Sequence, residues 1–207
     1  MKRSGWLGFF LVLALAACAE EAPRLEPLLP GAKILAFGDS LTAGTGAEQG
    51  SDYPSLLAKK IQRLVINGGV PGELSDEGLI RLPQWLDRYH PALLILCHGG
   101  NDILMQKDHV RIANNIRRMI QLARDRGTQV VLIGVPQPGI TLSPLPFYRE
   151  IARDFSIPYE GKILSRLLST PALKSDHLHA NEEGYQALAE ALAKLLKDRG
   201  ALAESTL

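Results

Sequence analysis

The chain has 207 residues, 46% hydrophobic and 22% charged, a globular mixture that excludes a disordered or collagen-like polymer and sets one domain as the expectation. Its 23 basic and 22 acidic residues leave a formal charge of +1, so it lacks the cationic excess that captures nucleic-acid phosphates. Two cysteines, Cys18 and Cys97, exclude a multi-disulfide scaffold.

Lys2 and Arg3 precede an apolar run over 6–15, which ends in Ala16 and Ala17 just before Cys18. Charged start, apolar middle and small residues form a secretory signal, and the run is shorter than the ~20 residues that span a bilayer. Leu15-Ala16-Ala17-Cys18 resembles the bacterial lipoprotein signal, in which the cysteine is lipid-modified and becomes the mature N-terminus. Residues 1–17 are therefore expected to be removed, leaving a nearly neutral chain held to a membrane through Cys18. Its expected place is the bacterial envelope, facing the periplasm. Ala19 and Glu20 lack the Asp that signals inner-membrane retention, which favours the outer membrane. Residues 18–32 contain three prolines and no period, and read as an extended tether. A domain is expected over 33–200, followed by a tail over 201–207.

Short unalternated apolar runs occur at 34–37, 64–66, 93–96 and 130–133, the pattern of strands buried on both faces. Segments with helical spacing lie between and after them at about 53–62, 76–89, 108–126, 145–155 and 181–198. A weak fifth strand is expected at 155–158. Such alternation predicts a parallel sheet covered by helices on both faces, with ligands bound beyond the carboxyl ends of the strands.

Three polar loops leave those ends: Gly38-Asp39-Ser40-Leu41-Thr42, Asn67-Gly68-Gly69-Val70-Pro71-Gly72-Glu73, and His98-Gly99-Gly100-Asn101-Asp102. Asp176-His177-Leu178-His179 precedes the last helical segment and can reach the same edge. A serine hydroxyl needs a base, a group that orients the base, and donors for an oxyanion. Ser40 is the candidate nucleophile, His179 the base and Asp176 its orienting carboxylate. The backbone N–H groups of Ser40 and Gly72 and the side-chain amide of Asn101 are candidate oxyanion donors.

These four segments resemble the ordered blocks of the SGNH, or GDSL, hydrolases, and are most similar to the bacterial arylesterase and acyl-thioesterase, lysophospholipase-like branch. The resemblance covers roughly 33–195. It implies Ser40, Asp176 and His179 as a catalytic triad, an oxyanion hole from Ser40, Gly72 and Asn101, and a flavodoxin-like three-layer α/β/α sandwich. It also implies ester or thioester hydrolysis with no metal and no cofactor, on a small acyl substrate. Three departures stand out: Pro71 and Glu73-Leu74 replace the usual Ser before and Asp-Thr after the Gly, Ala180 follows the His in place of Pro, and His98 stands where many relatives have Leu.

Competing readings are weaker. His177 and His179 have the separation of a metal pair, but no third ligand cluster accompanies them. His177 reads as structural or cleft-lining. Asp39 and Asp102 read as loop stabilisers, and Cys97 as a small core residue. Lys59-Lys60 and Arg117-Arg118 lie on exposed helix faces. Leu142, Leu145, Pro146 and Phe147 belong either to the core or to a wall that receives an acyl chain. Phosphate-loop, dinucleotide and G-x-S-x-G signatures are missing. Beside the esterase reading stand an acetyl esterase of envelope polysaccharide and a non-catalytic binding module with a relict triad. No sequence feature addresses oligomeric state.

Overall fold

The structure, a computed structural model, describes residues 22–139 and 142–203. The signal segment, Cys18 and residues 204–207 lie outside the described residues. In chain order the elements are β1 (Lys33–Gly38), α1 (Ser40–Ala43), α2 (Tyr53–Ile61), β2 (Leu64–Gly69), α3 (Ser75–Tyr89), β3 (Leu93–Cys97), α4 (Gly100–Leu104) and α5 (His109–Arg124). There follow β4 (Gln129–Ile133), β5 (Pro136–Gln137), β6 (Ser143–Pro144), α6 (Pro146–Asp154), β7 (Tyr159–Glu160), α7 (Ile163–Ser169) and α8 (Glu182–Asp198).

Five strands form one sheet in the order β2-β1-β3-β4-β7, and every pairing in it is parallel. Because β3 is buried along its whole length and β1 from Ile34 onward, each needs cover on both sides. The β1-to-β2 crossover runs one way along the sheet and the later crossovers run the other. Right-handed connections therefore put α2 on one face and α3, α5 and α6 on the opposite face. Helix α8 returns to pack on α2, completing a three-layer α/β/α sandwich. The strand order reverses between β1 and β3, and α/β sheets open a ligand crevice at such a point.

Large buried tyrosines tie the layers to the loops. Tyr148 on α6 donates to the His98 carbonyl at 2.8 Å, and Tyr185 on α8 donates to the Thr45 carbonyl at 2.8 Å. Cys97 is buried in this core as a free thiol.

Three expectations change. The fifth strand falls at Tyr159–Glu160 rather than at 155–158, because residues 155–157 close α6 instead. The Ser156 N–H reaches the Arg153 carbonyl, the Ile157 N–H reaches the Ala152 carbonyl, and Ser156 takes a positive φ of 49°. Residues 22–32, expected as part of an extended tether, have no helix or strand and are laid on the domain. Leu25 and Leu28 are buried, their N–H groups donate to the carbonyls of Arg199 and Ala201, and Glu26 exchanges two hydrogen bonds with the Gln129 side chain. Ala201 and Leu202, read as tail, are buried against the same region, since the docked segment supplies apolar cover for them.

Candidate active site

Ser40 is the first residue of α1, directly beyond the carboxyl end of β1. Asp39 caps that short helix by accepting the Leu41 N–H at 3.1 Å, which sets the turn that presents the serine. On the far side of the cleft, residues 174–180 form a tight loop closed by a bridge between Lys174 and Ala180. Inside it Asp176 Oδ1 accepts the N–H groups of Leu178 at 2.7 Å and His179 at 2.9 Å, an aspartate turn that bends the chain back on itself. That bend brings His179 Nδ1 to 2.8 Å from Asp176 Oδ2 and aims Nε2 at Ser40 Oγ, 3.0 Å away. With the carboxylate accepting from Nδ1–H, Nε2 is the free base nitrogen facing the hydroxyl.

The donors follow from two more loops. Val70-Pro71-Gly72-Glu73 is a type II turn: the Glu73 N–H bonds the Val70 carbonyl at 3.2 Å, Pro71 stands second, and Gly72 stands third with φ 81°. Glycine is needed there because that φ strains any residue with a Cβ. The Asn101 amide donates one N–H to the Glu73 carbonyl at 3.0 Å, which pins it beside the turn and leaves the other for the cleft. Ser40, Gly72, Asn101, His177 and His179 line one cavity, and the Ser40 and Gly72 N–H groups have no acceptor among the described residues.

A family model for the GDSL-like lipase and acylhydrolase family matches residues 36–187. The chain belongs to that family. It is an esterase of the SGNH/GDSL type. It is 31% identical to an arylesterase of Vibrio mimicus over 197 residues, 90% of this chain and 96% of that one. Thioesterase 1/protease 1/lysophospholipase L1 of Escherichia coli strain K12 is 26% identical over 79% of this chain and 83% of its own. Among solved structures, that of TesA aligns with a TM-score of 0.71 at 26% identity, over 80% of this chain and 98% of that one. The SGNH-hydrolase family esterase AlinE4 aligns at 0.65 and 26% identity, over 83% and 97%.

In this SGNH/GDSL chain the carboxylates of Asp39 and Asp176 differ in kind. Burial pushes the Asp39 carboxyl above its ordinary pKa, against the opposing pull of the Leu41 N–H that it accepts. Hydrogen bonding to His179 holds Asp176 below its ordinary value, and its backbone donors add to this. Asp176 therefore presents a charge to His179, while Asp39 stays tied to the loops. Asp102 accepts from the Ser75 N–H at 2.8 Å and its hydroxyl at 2.7 Å, and so joins α4 to the start of α3.

The cavity of about 390 Å³ continues from the serine into an apolar groove lined by Leu104, Val135, Pro138, Leu142, Leu168 and Leu178. Of the four residues read as core or acyl wall, Leu142 lines this groove, Leu145 is core, Phe147 packs partly buried beside it, and Pro146 opens α6. His177 lines the cavity mouth while His179 meets the serine.

Three residues behind the donors had no reading as a group: Glu73, Arg81 and His98. Arg81 grips Glu73 through two bonds of 2.6 Å, donates to the Gly68 carbonyl at 2.9 Å, and lies over the Phe37 ring at 4.0 Å. Glu73 stands eight residues before Arg81 and twenty-five before His98, separations with no helical or strand period to expose them. Their signal was the pair of departures from the family pattern at positions 73 and 98.

Proposed function

We propose that this esterase cleaves carboxylic ester or thioester bonds of small acyl substrates through an acyl-enzyme on Ser40. The observation that carries the reading is the relay of 3.0 and 2.8 Å from Ser40 Oγ through His179 to Asp176, opening onto free N–H donors and an apolar groove. His179 Nε2 takes the serine proton as Oγ attacks the acyl carbon. The resulting oxyanion accepts from the Ser40 and Gly72 N–H groups and the Asn101 amide. His179 then returns the proton to the departing alkoxide or thiolate, and a water attacks the acyl-enzyme by the same route in reverse.

The groove supports acyl groups longer than acetyl, since its apolar walls extend well past the reacting carbon. The kinship to an arylesterase and to a thioesterase/lysophospholipase supports the same range of leaving groups. The signal-like residues 1–17 and Cys18 support export and a lipid anchor in the bacterial envelope, and the residues after Cys18 favour the outer membrane. No helix among the described residues is long and apolar enough to cross a membrane.

A p-nitrophenyl ester series from acetate to palmitate, with wild type and Ser40→Ala prepared alike, tests the proposal. Hydrolysis beyond acetate by wild type alone is the expected result. Equal inactivity of both proteins across the series would overturn it, and acetate release confined to envelope polysaccharide would replace it with an acetyl esterase.

A further inference from the structure

Two residues that depart from the family pattern, Glu73 and His98, meet inside the molecule. His98 ends the β3 edge of the site, is fully buried, and places Nε2 3.1 Å from the Glu73 carboxylate. Its other ring nitrogen, Nδ1, accepts the Gly99 N–H at 3.0 Å. A nitrogen that accepts an N–H carries no proton, so the hydrogen sits on Nε2 and is donated to Glu73, which as a carboxylate can only accept. The ring is thus a two-ended link: one end holds the loop that carries Gly72, the other the loop that carries Asn101.

The surroundings are shaped for that ring. A Cβ on Gly78 of α3 would collide with His98 Nε2, so the helix leaves a space of imidazole width at that point. Phe37 packs beside the ring at 6.1 Å, and the His98 carbonyl is held by Tyr148. Glu73 is in turn fixed by Arg81, and its own carbonyl takes the Asn101 amide. Both loops therefore close on one residue pair, and neither partner lines the cavity.

We propose that His98 is a positioning residue for the hydrolysis: through Glu73 and the Gly99 N–H it holds the Gly72 and Asn101 donors at the spacing an oxyanion requires. The inference rests on the proposed esterase reading. A donor that is present but misplaced forfeits part of its worth in the transition state and little in the ground state, so the loss falls on kcat rather than KM.

His98→Leu, His98→Gln and Gly78→Ala, each compared with wild type, test this. Leucine fills the site without a polar atom, and glutamine keeps a donor for Glu73. Alanine at 78 suits a helix better than glycine yet pushes the imidazole off its partner. The readouts are kcat and KM on p-nitrophenyl butyrate and amide hydrogen exchange at Gly99 and Asn101. His98→Leu and Gly78→Ala are expected to lower kcat about tenfold with KM within about twofold. Exchange at Gly99 is expected to quicken at least about tenfold, since its acceptor is lost or moved. His98→Gln is expected to recover most of kcat.

An unchanged kcat in His98→Leu, an equal loss in His98→Gln, a loss confined to KM, or unchanged exchange at Gly99 would each overturn the proposal. If wild type hydrolyses no ester at all, the esterase reading fails, and the exchange data still decide whether His98 holds the two loops.

Discussion

A hydroxyl at position 40 owes its expected reactivity to groups that come from three other places in the chain, and each can be removed singly. Asn101→Ala takes away one oxyanion donor and also the bond to the Glu73 carbonyl. It is expected to lower kcat by about 10²–10³-fold on p-nitrophenyl butyrate, with a smaller change in KM. Asp176→Asn leaves the shape but offers His179 an amide that can donate, favouring the wrong tautomer. Steady-state kinetics are expected to show a fall in kcat of about 10³–10⁴-fold.

The two aspartates also predict opposite dependences of stability on pH. Asp39 has a raised folded-state pKa, so the folded protein binds its proton more tightly than the unfolded chain does. The stability this contributes is complete below the unfolded value of about 3.9 and is lost as pH rises through the folded value. Asp176 has a lowered folded-state pKa, so its contribution is complete above about 3.9 and is lost as pH falls through its folded value. Asp39→Asn keeps an acceptor for the Leu41 N–H and carries no charge. Urea unfolding is expected to show Asp39→Asn gaining on wild type between pH 4 and pH 7. A difference that shrinks over that interval would contradict the assignment.

At the scale of elements, legibility followed length and burial. The apolar runs in β1, β3 and β4 announce themselves because a strand covered on both faces has no polar alternation to hide it. Helices α2, α3, α5, α6 and α8 carry a full apolar stripe and are readable within a residue or two. The short helices α1 and α4 show no period in four or five residues. Asp39 caps α1 through the Leu41 N–H, and Asp102 ties α4 to the start of α3. Ser40, Gly72, Asn101, Asp176 and His179 were legible because family blocks mark them in order along the chain. The Glu73–Arg81–His98 cluster was not, because only the crossover from β2 through α3 to β3 brings it together.

The turn before α3 offers an element-scale test. Gly72→Ala places a Cβ in open space, so its only cost is the positive φ of 81°. A destabilisation of about 1 kcal/mol is expected in thermal unfolding, with a fall in kcat as the strained turn shifts its N–H.

Across the whole molecule, Glu26 of the docked segment and the candidate cleft lie at opposite edges of the sheet. Glu26 is bonded to Gln129, where β4 begins, whereas Ser40 lies beyond the end of β1. A six-residue strand such as β1 separates those edges by about 20 Å. From Cys18 to Ala22 the chain can extend at most about 14 Å. A lipid on Cys18 would therefore hold the enzyme on a short leash at Ala22, which borders a hollow with Arg149, Arg153 and Tyr159 beside β7, and so limit how far the cleft can turn onto the anchoring membrane.

Lipidated protein in vesicles is then expected to hydrolyse water-soluble p-nitrophenyl esters with the kcat/KM of the unanchored domain. It is expected to act poorly on esters embedded in its own bilayer. Replacing Leu25 and Leu28 with Asp puts charge against apolar surface, which frees the segment and lengthens the reach. The double variant is expected to gain activity toward esters in its own bilayer while leaving soluble ester hydrolysis unchanged. Equal activity of the docked and freed proteins on embedded esters would mean that the docked segment imposes no such limit, and would overturn the prediction.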